Sequence, residues 1–197
     1  MNSGNQSLQR LLALTGRYGM VALLTVSAGV NISLARELRA LKSTTRGGLA
    51  VGSMVPPIDA VTLDGRRTRI DFVTAQPTVL YYFSPTCGWC ERNWTNVRHL
   101  IDEAATRFRF VGISTTADVA GFLEERDVDL NVVTGLHEEA IRGWRLGGTP
   151  HTIVVSPAGK VIGSWAGAYS GTIGREVEQF FGVKLPGLSR MAGRKPD

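Results

Sequence analysis

The chain reads as an α/β domain with a mixed sheet flanked by helices, preceded by an N-terminal membrane helix. Three observations predict this. Apolar runs of strand length alternate with helical periodicities through the middle of the chain. The only two cysteines, Cys87 and Cys90, stand between one such run and one such helix. Residues 18–35 contain no charged side chain.

Taken in order, residues 1–17 form an N-terminal flank and residues 18–35 the apolar segment, densest at Met20-Val21-Ala22-Leu23-Leu24-Thr25-Val26. About 18 residues of helix rise about 27 Å, close to the hydrocarbon thickness of a bilayer. Two readings compete: a transmembrane anchor, or an export signal with Ser33-Leu34-Ala35 as its cleavage site. The run is long for the core of a signal, which favours the anchor. Residues 36–50 are a linker, rich in Ser, Thr and Gly from Ser43 onward.

Within residues 51–183, Pro56-Pro57 introduces an alternating strand over 58–63. Asp64-Gly65 supplies a hairpin turn into a return strand that begins Thr68-Arg69-Ile70. Residues 77–83 form an apolar run of buried-strand type. After the cysteines, Trp94, Val97, Leu100, Ile101, Ala104 and Ala105 recur at helical spacing. A strand over 108–114 follows, with Phe110, Val111 and Ile113 in the core. A short helix over 118–126 presents Val119, Phe122 and Leu123. A brief strand over 130–133 and a helix over 138–146 come next. Residues 152–155 and 160–165 make a hairpin across Pro157-Ala158-Gly159, and a helix over 172–181 closes the domain. Residues 184–197 are a basic tail. There is no internal repeat and no low-complexity segment.

The formal net charge of +5 is carried by the ends. Residues 1–50 hold six Arg/Lys against one Glu, and residues 184–197 hold four against one Asp. Residues 51–183 hold 12 basic and 15 acidic side chains, a net charge of −3. A folded part with that balance has no reason to seek nucleic acid. Basic residues are more numerous after the apolar segment than before it. Alone, that bias would place the domain in the cytoplasm.

Cys87-Gly88-Trp89-Cys90 opens a helix directly after a strand. A cysteine on the first turn faces unpaired backbone N–H groups and the positive end of the helix dipole. Both favour thiolate and make the sulfur nucleophilic near neutral pH. A second thiol one turn on can attack a mixed disulfide and release the partner. Trp89, between the sulfurs, would project as an apolar patch against a docked partner.

Competing uses of the cysteines fit less well. Structural zinc needs four ligands, and His99, His137 and His151 lack the paired spacing of a finger or ribbon. A peroxidatic Pro-x-x-x-Thr/Ser-x-x-Cys motif fails, because Leu80 or Phe83 stands where proline is needed. A purely structural disulfide closing so small a ring removes little chain entropy. His151 reads as a strand residue with a partner, and His99 and His137 as surface or interface residues on helices. Tyr81, Tyr82, Trp94 and Phe110 read as core, and Glu91 as solvent-facing.

In this order the motifs resemble the thioredoxin fold and, within it, the membrane-tethered TlpA/ResA-like thiol–disulfide oxidoreductases. The resemblance covers roughly residues 51–183 and rests on the strand-Cys-x-x-Cys-helix unit and the strand Phe110-Val111-Gly112-Ile113-Ser114. Gly147-Gly148-Thr149-Pro150 ahead of a strand, the turn Ser156-Pro157-Ala158-Gly159-Lys160-Val161 and Gly167 complete it. It implies a cis Pro150 against the cysteine pair, with the Thr149 backbone open to an extended substrate segment. It implies Cys87 as the attacking and Cys90 as the resolving sulfur, with Trp89, Thr149 and Pro150 as docking residues. No metal or organic cofactor is implied, since the cysteine pair carries the electrons. The implied partners are protein thiols and disulfides and a membrane electron donor. The domain would lie on the extracytoplasmic side, periplasmic or extracellular, and would reduce rather than form partner disulfides. The alternatives are a disulfide-forming oxidant on the same fold and a non-catalytic docking or metal-delivery module.

The departures from that family concern proton handling. Tyr81 stands where thioredoxins carry a buried aspartate, and Asn93 where the ResA-like group places a glutamate. Thr95 replaces the helix-kinking proline, and Thr86 the tryptophan before the first cysteine. His151 occupies the position of the glutamate expected in the cytochrome c maturation branch.

Overall fold

The computed structural model describes residues 25–33, 48–126 and 128–189. Residues 25–33 are helical (α1) with exposed side chains. The remainder of the predicted 18–35 segment, the flank before it and most of the linker after it lie outside the described residues. Among the described residues, no helix is long and apolar enough to cross a membrane. The chain divides into two units, with the second beginning at Arg46.

The second unit contains β1 (Ile58–Thr62), β2 (Arg67–Ile70), β3 (Thr78–Phe83), α2 (Gly88–Ala104), β4 (Arg109–Ser114) and α3 (Ala120–Glu124). Then come β5 (Val132–Thr134), α4 (Glu138–Gly143), β6 (His151–Val155), β7 (Val161–Ala166) and α5 (Gly171–Phe181). The strands form one mixed sheet in the order β2-β1-β5-β4-β3-β6-β7. β3 pairs in parallel with β4 and antiparallel with β6. The predicted order of strands and helices is therefore present, in an α/β mixed sheet with flanking helices.

β3 is interior, and its alternating side chains feed two cores. Val79, Tyr81 and Phe83 join Trp94, Val97 and Leu100 of α2 and Val177 and Phe181 of α5 on one face. Leu80 points to the other, with Ile58, Val111, Ile113, Ile153 and Trp144. A strand buried on both sides reads as a continuous apolar run, which is what residues 77–83 show.

The two short helices are shorter than their periodicity suggests, α3 cut back at its start and α4 at its end, each for a tertiary reason. α3 begins at Ala120 because Val119, fully buried, leaves helical backbone (φ −131°, ψ −9°) to enter the core. α4 stops at Gly143 instead of running to Leu146. The Arg145 N–H bonds to the Arg142 carbonyl at 3.1 Å and the Leu146 N–H to the Ile141 carbonyl at 3.0 Å. This is a Schellman ending, which needs a left-handed residue. Arg145 supplies it at φ 49°, and Leu146 is thereby turned into the core. α5 ends the same way with a residue suited to it, Gly182 at φ 66°.

The packed domain extends past the expected limits of 51–183 on both sides. Gly48 is buried so closely that a Cβ there would come within 2.6 Å of Ser164 Oγ and 2.9 Å of His151 Nε2. At the other end, the Ser189 N–H donates to the Arg92 carbonyl at 2.9 Å, and the Gly187 N–H to Asn96 Oδ1 at 2.8 Å. Leu185 packs against the α2/α5 core. The first part of the tail is thus a strap across α2, invisible to composition because its bonds are made by backbone groups.

A left-handed arginine costs about 1 kcal/mol relative to glycine. Arg145→Gly is expected to raise the unfolding free energy by about that amount, measured by denaturant titration with the slope unchanged.

Candidate active site

The site lies at the carboxyl end of β3, where a short loop delivers the chain to the start of α2. The Cys87 N–H bonds to the Ser84 carbonyl at 3.1 Å, which closes the turn. Cys87 is the N-cap of α2, with extended backbone (φ −86°, ψ 112°), and its Sγ accepts the Cys90 N–H at 3.4 Å. The sulfur thus performs the capping role usually taken by a serine or aspartate oxygen. The predicted placement of the cysteine pair on the first turn is met.

Both cysteines are free thiols, with Cys87 partly exposed and Cys90 buried. Partial burial opposes ionisation of Cys87. Hydrogen bonds with the Thr149 and Cys90 side chains and from the backbone of Cys90 and Trp89 outweigh it, holding this thiol below its ordinary value. Burial pushes the Cys90 thiol up to about 12, and the neighbouring Cys87 adds to the rise. One sulfur is therefore reactive and reachable, and the other is protonated and shielded.

The Thr149–Pro150 peptide is cis, and the Cys87 thiol donates to the Thr149 carbonyl at 3.4 Å. Pro150 is buried and Thr149 partly exposed beside the sulfur. Trp89 is 55% exposed, and the Arg92 guanidinium carbon sits 4.8 Å from its ring centroid. Arg92 is itself tied back, its Nε donating to the Ser189 carbonyl at 3.3 Å. The indole is therefore an open platform supported from one side. Cys87, Cys90 and Thr149 come together, and Trp89 flanks them on the first turn of the helix.

Other residues fall as follows. His151 opens β6, is buried, and shares a hydrogen bond with Ser164 Oγ at 3.1 Å. Its burial lowers the imidazole to about 4. His99 lies on α2, whereas His137 is the exposed N-cap of α4 rather than part of that helix. Glu91 is exposed, 4.0 Å from Arg126, which stacks on Phe122 at 3.8 Å. Tyr81 and Trp94 are core, while Tyr82 and Phe110 are only partly buried. Among the described residues, no three His, Cys, Asp or Glu side chains cluster as metal ligands.

One feature of the site is not a simple core contact. Asn93 and Asn96 are fully buried on the same face of α2 as Cys90. Asn93 Oδ1 accepts the Tyr169 N–H at 2.8 Å and Asn96 Nδ2 at 3.1 Å, and Asn93 Nδ2 donates to the Tyr81 hydroxyl at 3.4 Å. The signal was present in the sequence: two asparagines at i, i+3 interrupting an otherwise apolar helix face.

Several solved structures resemble this fold. A thiol:disulfide interchange protein from Bacteroides sp. superposes with TM-score 0.54 at 23% identity, over 68% of this chain and 91% of that one. The thioredoxin domain of a thiol-disulfide oxidoreductase from Bacteroides vulgatus gives 0.54 at 23%, over 68% and 99%. A thiol:disulfide interchange protein of the thioredoxin family from Chlorobium tepidum gives 0.53 at 20%, over 68% and 98%. No family profile matches the chain, and no curated protein matches its sequence.

The pKa asymmetry predicts that brief iodoacetamide treatment near pH 7 alkylates Cys87 and spares Cys90 in the folded protein, read by peptide mass spectrometry. Equal labelling would contradict it. His151 makes a separate prediction. Its folded value of about 4 lies below the ordinary 6.5, so the unfolded chain binds more protons between these values. Its contribution is complete above about pH 6.5 and is lost as pH falls toward 4, up to roughly 3 kcal/mol. Denaturant unfolding at pH 7.5 and 4 should show this loss reduced in His151→Gln. With strand pairing, cis Pro150 and the cysteine turn in place, the described domain has the thioredoxin fold.

Proposed function

We propose that the chain is a thiol–disulfide oxidoreductase that reduces disulfides in partner proteins. The observation that carries this is the pairing of a lowered, accessible Cys87 thiol at a helix start with a buried, raised Cys90 thiol one turn away. The Cys87 thiolate attacks a partner sulfur. A Cys87–partner bond forms, the partner's disulfide breaks, and the released sulfur takes a proton from water. Cys90 then loses its proton and attacks Cys87. The Cys87–Cys90 bond forms, the mixed disulfide breaks, and two electrons have passed to the partner.

Trp89 and the Thr149-Pro150 backbone provide the surface on which the partner's extended segment docks. The cysteine pair carries the electrons without metal or organic cofactor. We further propose that the uncharged segment 18–35 anchors the chain in a membrane. The domain would stand on the extracytoplasmic side, where a membrane electron donor returns Cys87–Cys90 to the dithiol. The uncharged run and the helical residues 25–33 support the anchor.

Cys90→Ser should accumulate partners as mixed disulfides through Cys87, resolved by dithiothreitol on non-reducing gels, with turnover near zero. Cys87→Ser should trap none. If neither variant nor the native chain forms a mixed disulfide, the exchange reading is wrong. A potential near about −270 mV fits a reductant, and one near about −120 mV an oxidant.

A further inference from the structure

Arg92 is held at both its main chain and its side chain by one residue of the C-terminal strap. Its carbonyl accepts the Ser189 N–H at 2.9 Å and the Ser189 hydroxyl at 3.2 Å, and its Nε donates to the Ser189 carbonyl at 3.3 Å. A guanidinium is a planar fork, so a bonded Nε also restrains where its charge sits. That place is beside Trp89, with the guanidinium carbon 4.8 Å from the ring centroid, within the range of a cation–π contact. A further bond, from the Gly187 N–H to Asn96 Oδ1 at 2.8 Å, holds the strap one turn along the helix. Strap, cation and indole thus form one connected edge on the first turns of α2.

The charge on that edge is not offset from within the domain. Arg92 is half-buried, and among the described residues no carboxylate pairs with it. Glu91, its neighbour on the helix, lies 4.0 Å from Arg126, which also pairs with Glu125 at 3.1 Å. Glu178 of α5 is taken up by Lys184 at 3.1 Å and by the Leu185 N–H at 3.0 Å. Beyond the Nε–H bonded to Ser189, the Arg92 fork has four more N–H donors on its Nη atoms. Among protein side chains, a carboxylate is the anion that fits such a fork.

We propose that Arg92 is a specificity-determining residue: it selects partner segments that carry Asp or Glu beside their disulfide. The proposal rests on the exchange reading given above and narrows it to one class of partner. A segment lying on Trp89 and the Thr149-Pro150 backbone brings its flanking side chains past the start of α2. An acidic side chain there meets the Arg92 Nη groups, and a basic one meets like charge. The Cys87 thiolate by itself disfavours an acidic segment, so a preference for one must come from a cation at the rim. The chemistry is unchanged, with the partner's disulfide reduced as the Cys87–Cys90 bond forms. The pair is partly exposed, so its effect is about fivefold in rate constant.

The test is single-turnover reduction of two synthetic peptides by the reduced full chain. Each peptide has one internal disulfide, whose cysteines are flanked on both sides by Glu in one peptide and by Gln in the other. Each rate constant is divided by that peptide's rate with dithiothreitol, which removes intrinsic differences between the disulfides. The Glu/Gln ratio then removes any change in Cys87 itself. Arg92→Gln should lower this ratio about fivefold, and Arg92→Lys, which keeps the charge, should hold it at least about twofold above the Gln variant. An unchanged ratio in folded Arg92→Gln overturns the selection, and a Lys variant no better than Gln overturns its ionic basis. Circular dichroism checks folding. If Arg92→Gln does not fold, the native chain decides: its ratio should fall as salt rises from about 0.05 to 1 M, and a constant ratio overturns the proposal. A native chain that reduces neither peptide overturns instead the exchange reading.

Discussion

The cap that the Cys87 sulfur places on α2 joins the fold to the chemistry. A helix start leaves N–H groups without partners, and here a sulfur fills the role that an oxygen normally takes. The Cys90 N–H reaches Cys87 Sγ at 3.4 Å, so the bond that begins the helix also favours the charged form of its first side chain. β3 holds the turn in place from below, with its side chains locked into cores on both faces of the sheet. The reactive atom is therefore mounted on a rigid strand–helix junction, and Thr149 approaches it from β6's side.

Reactivity at the two sulfurs is separated by environment more than by chemistry. Cys87 is partly exposed and surrounded by donors, whereas Cys90 is enclosed by apolar side chains. Burial keeps Cys90 protonated at neutral pH, whereas the first sulfur stays open to attack. Asn93, Asn96, Tyr169 and Tyr81 form a satisfied chain in a core that otherwise rejects polar groups. Such a chain is tolerated only when each member is paired, and backbone donors from Tyr169 and Gly187 complete the pairing. The strap formed by residues 184–189 is thus continuous, through hydrogen bonds, with the interior behind the active turn.

Periodicity and spacing were enough to read the succession of strands and helices along the chain, the cysteine pair at the start of a helix, and the burial of the run 77–83. These follow from local rules: apolar alternation, the i, i+3 separation of the sulfurs, and turn residues between runs. The limits of α3 and α4 did not follow, because Val119 and Leu146 leave helical geometry to reach a core that no local window contains. Tyr81 was readable only as a core residue. Its hydroxyl gains a partner in Asn93, 12 positions away, and Asn93 gains its orientation from Tyr169, 76 positions away.

The amino-acid order settled which residues carry reactive sulfur and which runs become strands, since those depend on neighbours along the chain. The three-dimensional packing settled which sulfur is exposed, which is shielded, and which way the buried amides face. Burial and hydrogen-bond direction depend on groups brought together from distant segments, and a local pattern holds no record of them.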